Sequence, residues 1–153
     1  MKKIAGFIGL AFLYLMVACS SVTPQWQPTA VTDFKSVAGK WEGFLTADDP
    51  RALRFDRATL FIDDTGVCET AITRTITKMP VHYDTFDVFA EKAQLVLIGG
   101  KLSATFEKGG RMTVQLYVDP ASGERMLKAE GQNSKRFSYL ADLKRTRDSA
   151  SAK

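Results

Sequence analysis

Apolar and polar side chains alternate without a break over residues 111–118: Met112, Val114, Leu116 and Val118 on one face, Arg111, Thr113, Gln115 and Tyr117 on the other. Residues 101–107 repeat the pattern, with Leu102, Ala104 and Phe106 opposite Lys101, Ser103, Thr105 and Glu107. Phe137, Tyr139, Ala141 and Leu143 alternate against Arg136, Ser138, Asp142 and Lys144, with Leu140 as the exception. A period of two with one apolar face predicts antiparallel strands, each buried on one side. Less regular stretches predict further strands at 40–46, 58–63, 67–77, 86–90, 94–98 and 124–130.

Turn chemistry separates these runs. Asp63-Asp64-Thr65-Gly66, Gly99-Gly100, Lys108-Gly109-Gly110, Asp119-Pro120-Ala121-Ser122-Gly123 and Gly131-Gln132-Asn133 supply residues that tolerate positive φ, or the fixed φ of proline. Short links make successive strands neighbours, so the order is a meander. Two segments depart from it: a polar loop at 47–56, and residues 78–92, where Pro80 and mixed charge predict an irregular excursion or a helical turn. A meander of about eight or nine short strands, each with one apolar face, must close or stack to avoid bare edges and a wet apolar surface. The expected fold is all-β, a small antiparallel up-and-down barrel; a β-sandwich is the alternative.

The N-terminus is of a different kind. Met1, Lys2 and Lys3 precede an uncharged, mostly apolar run over residues 4–18, and Cys19 is followed at once by polar residues. A basic start, a short apolar run and a small residue before a cut predict a secretory signal peptide; a membrane span needs about 20 apolar residues. Leu15-Met16-Val17-Ala18-Cys19 resembles the lipobox of bacterial lipoproteins. That resemblance implies a diacylglyceryl group on the Cys19 sulfur, cleavage before Cys19 and acylation of the new amino terminus, commonly with palmitate. Ser20 in place of Asp implies export to the periplasmic face of the outer membrane. The expected division is a signal peptide at 1–18, a flexible tether carrying Pro24, Trp26 and Pro28 at 19–32, a barrel at 33–147 and a disordered tail at 148–153.

Composition narrows the function. The formal charge is +4, of which Lys2 and Lys3 supply two, and the C-terminus holds Lys144, Arg145, Arg147 and Lys153. In an exported chain this basic end argues for no nucleic-acid partner; it reads as a solvated terminus. With Cys19 committed to lipid, Cys68 has no disulfide partner, so stability must come from an apolar core.

Phe34-x-x-Val37-x-Gly39-Lys40-Trp41 resembles the opening of lipocalins and their calycin relatives. The resemblance implies a short helical turn closing one end of an eight-stranded barrel, with Gly39 turning the chain into strand one and Trp41 plugging that end. Thr32 or Asp33 is placed to cap the turn. The Trp41 indole N–H needs an acceptor, and the resemblance implies an arginine near the last strand packed on the ring, for which Arg136 and Arg145 are the candidates by position. The same resemblance implies an interior that binds a small apolar or amphipathic ligand. Leu102, Ala104, Phe106, Met112, Val114 and Leu116 are the expected cavity lining.

Catalytic chemistry is not suggested. His82 is the sole histidine, and nothing pairs it with Cys68, which alternates with Ile72 and Ile76 as a buried strand residue does. Asp48-Asp49 and Asp63-Asp64 lack the spacing of a calcium loop. Thr70, Thr73, Arg74, Thr75 and Thr77 form a polar stripe that reads as a solvated face. No enzyme, metal or cofactor is expected. The leading expectation is a lipid-anchored ligand binder. The alternative is a filled barrel that binds another envelope protein, as an assembly factor or enzyme inhibitor, through the 47–56 loop, the Pro80 region and the threonine stripe.

Overall fold

A computed structural model describes residues 23–47, 56–78, 82–133, 136 and 138–146, with the side chains of 47 and 74–89 excepted. The signal peptide, Cys19, Asp48-Asp49, Pro80, the 148–153 tail and the side chains of His82, Arg74, Thr75 and Thr77 lie outside the described residues.

Within them the chain is all-β. The strands are β1 (Gln27–Thr29), β2 (Gly39–Ala47), β3 (Arg57–Ile62), β4 (Val67–Lys78), β5 (His82–Gln94), β6 (Val96–Ile98), β7 (Lys101–Thr105), β8 (Arg111–Val118), β9 (Arg125–Gln132) and β10 (Ser138–Arg145). The pairings are antiparallel; nine strands follow the order β5-β4-β3-β2-β10-β9-β8-β7-β6, and β1 pairs with β8 off this path. The first long strand pairs with the last: Trp41 faces Arg145 and Leu45 faces Ala141 in register. This makes the sheet a nearly closed up-and-down barrel whose only unpaired path ends are β5 and β6, consecutive in the chain.

Three departures from the sequence expectation have physical causes. Residues 82–94 are one strand, not an excursion, because β4 and β5 form a long hairpin. Its register shifts between Ile72 and Thr73, which face Phe89 and Asp87, so Val88 has no opposite residue on β4. The strand expected at 94–98 breaks at Leu95, which is buried and donates its N–H to Gly66 O at 2.8 Å. The segment read as flexible tether enters the sheet: β1 pairs with β8 over Leu116–Val118, beyond the reach of β7, which covers Arg111–Val114. Where β1 and β7 meet end to end, Gln115 Nε2 donates to Thr29 O at 2.8 Å and Val31 N–H to Gly100 O at 2.8 Å.

The core is one cluster of inward side chains from β2, β3, β4, β7, β8, β9 and β10, with Val31, Val37, Leu95 and Phe106 from the connections. Leu60, Val114, Leu127 and Leu143 are among those essentially inaccessible to solvent.

Candidate functional site

The turn before β2 assembles the barrel end. Asp33 Oδ1 accepts from Ser36 N–H at 2.7 Å, and Val37 N–H bonds Phe34 O at 3.0 Å, giving a single turn rather than a helix. Gly39 follows with φ 128°, a left-handed region that side-chain-bearing residues avoid. A Cβ there would also approach the Arg145 guanidinium to 3.1 Å. Trp41 is completely buried, and its indole N–H donates to Val37 O at 2.8 Å. Arg145, not Arg136, meets it: the guanidinium carbon lies 5.9 Å from the ring centroid, and Nη2 donates to Ala38 O at 2.7 Å. Arg136 sits instead in the β9–β10 loop at φ 66°.

Leu102, Ala104, Phe106, Met112, Val114 and Leu116 are all buried and all belong to the core cluster. They pack with one another and with the facing strands. Ala104 and Met112 also border a concavity whose other lining residues lie mostly on the opposite face of the same strands. A groove of about 750 Å³ runs over the outside of β7–β10 and the end of β2. One register row, Thr46-Leu140-Glu130-Thr113-Ser103, crosses its floor. Arg111 and Gln132 flank it, tied by an Nη2 to Oε1 bond of 2.9 Å. Phe44 lies diagonal to Leu140 on this outer face, and both expose much of their apolar surface. Behind the groove the backbone pinches: a Cβ on Gly131 would fall 2.1 Å from Arg111 O and 2.7 Å from the Tyr139 hydroxyl. The Tyr139 hydroxyl donates to Arg111 O at 3.3 Å. Burial pushes the Tyr139 phenol up to about 12.

A second polar feature is internal. By register Leu60, Thr70 and Glu91 share the inward face. The Glu91 side chain is 8% exposed, and neither carboxylate oxygen accepts a hydrogen bond. Its ionic partner is Lys108 Nζ at 3.3 Å, reaching from the β7–β8 turn to β5. Thr70 donates its hydroxyl to Glu91 O at 3.2 Å, so this member of the threonine stripe is internal rather than solvated. Cys68 is likewise buried, with its thiol pushed up to about 11 by desolvation, so it is poorly suited to act as a nucleophile. No cluster of metal-ligating side chains occurs among the described residues.

Glu91 and the groove escaped the sequence reading. The alternation of Glu91 with Ala93 carried a signal for the first, hidden by the charged residues around it. The groove depends on sheet curvature, which no local pattern encodes. No family model, curated protein or solved structure matches this chain.

Proposed function

We propose that this chain is a lipid-anchored cell-envelope protein whose filled barrel holds a second envelope protein on its outer groove. One contrast carries the reading. The side chains expected to line an internal cavity belong to the buried core cluster, whereas a groove bordered by Ala104 and Met112 among others mixes apolar Leu140 with Arg111, Glu130 and hydroxyls. An apolar centre with a polar, hydrogen-bonding surround is the make-up of a protein-binding surface. Lipidation at Cys19 and residence at the periplasmic face of the outer membrane rest on the lipobox resemblance.

Glu91 favours a second reading. A buried carboxylate that accepts no hydrogen bond and is paired only with the Lys108 ammonium suits the polar or cationic end of a small amphipathic molecule that competes with Lys108 for it. Photo-crosslinking in intact cells separates the two. A crosslinker at Thr113 is expected to give one protein adduct, which Leu140→Asp abolishes, while the same group at Glu69, on β4, gives none. Absence of the Thr113 adduct overturns the protein-binding reading. A small molecule that co-purifies with the parent and is lost in Glu91→Gln supports the second.

A further inference from the structure

The chain leaves the barrel at one corner. Gln27 pairs with Val118 at the end of β8, and the Gln25 backbone N–H bonds the Asp119 carboxylate. Trp26 between them is half-buried, with Lys144 Nζ 6.0 Å from its ring centroid. The last residues of β10 and the first of β9 share this corner: Lys144 faces Met126. Gln25, which bonds Asp119, lies six positions after Cys19. Six extended residues span at most about 22 Å, so whatever holds the cysteine holds this corner within that distance of it.

Resting on the lipid-anchor reading, we infer that the Trp26–Lys144 corner lies against the phospholipid surface, with Trp26 entering the headgroup layer. The short leash gives the position. The pair supplies the chemistry: an indole, apolar in body and polar at its N–H, beside an ammonium that headgroup phosphates attract. The same strands then carry the groove away from the bilayer, because Leu140 lies four residues from Lys144, about 13 Å along β10.

The two tryptophans make the test direct. Trp41 is inaccessible and serves as the internal reference. The acylated full chain is reconstituted in vesicles of phosphatidylethanolamine and phosphatidylglycerol with brominated acyl chains, and flotation and tryptophan emission are measured together. The parent is expected to float and to lose part of its emission. Trp26→Phe is expected to float with emission unquenched, and Lys144→Glu to lose most of the quenching. A parent that floats unquenched, or a Trp26→Phe variant quenched like the parent, overturns the inference and leaves the anchor standing. A chain that fails to float overturns the anchor reading and this inference with it.

Discussion

Asp63 shows how one carboxylate can set a hairpin. Its Oδ1 accepts from the Thr65 hydroxyl at 2.7 Å and from the N–H groups of Thr65 and Val67, both at 2.9 Å. These bonds, the Thr65 hydroxyl foremost, hold its pKa below the ordinary carboxylate range. Because the folded value is depressed, the stabilisation is complete above the unfolded carboxylate pKa of about 3.9 and disappears as pH falls through the folded value. Urea midpoints measured across the acid range are therefore expected to fall more steeply for the parent than for Asp63→Asn. Equal acid limbs would refute the role. Asp119 acts in the same sense in the β8–β9 turn, through the Ser122 hydroxyl at 2.6 Å. The sequence had named both turns, because Asx turns are local. It could not tell Arg145 from Arg136 as the partner of Trp41, because that choice depends on β10 pairing with β2.

At the scale of the strands, glycine decides where the sheet can bend. Gly43 faces Leu143, and a Cβ on it would lie 1.9 Å from Asp142 O. Backbone cannot yield as the tip of a flexible side chain can, so Gly43→Ala must part β2 from β10. A loss of about 2 kcal/mol is expected, in the range of overpacked interiors, read as a lower urea midpoint. Gly99→Ala serves as a comparison, since its Cβ would meet nothing within 4 Å and only its φ of 58° is unfavourable. Equal losses in the two variants would show that close approach is not what Gly43 provides. Strand existence was legible wherever one face is uniformly apolar, as in β7 and β8. In β5 it was legible only over 86–90, because a register shift and an inward glutamate break the period, and it was missed at β1, three residues held by a neighbour's vacant edge rather than by propensity of their own.

For the molecule as a whole, stability is distributed unevenly around the barrel. The β2–β10–β9–β8 arc is paired on both sides and carries much of the buried leucine and valine. Among the described residues β6, at one end of the path, has only β7 as a strand partner, and Val96, Leu97 and Ile98 are all exposed. Native-state hydrogen exchange is expected to protect amides of β2 and β10 most strongly and those of β6 least. Uniform protection would mean that the remaining seam between β5 and β6 is closed in solution. Closure itself could be read from the sequence, since a meander of one-sided strands has few other ways to shelter them. Which residues border a groove could not, because that depends on how β2 and β7–β10 come together in space.

The pairing of β2 with β10 also orders events in time. Trp41 is synthesised more than a hundred residues before Arg145, yet the indole is covered only once the final strand arrives. Until then a nascent polypeptide carries a naked aromatic and an unsatisfied margin, both ready to catch on other chains. Closure of this end therefore waits on the last strand, and the interval before it is when a chaperone would matter most.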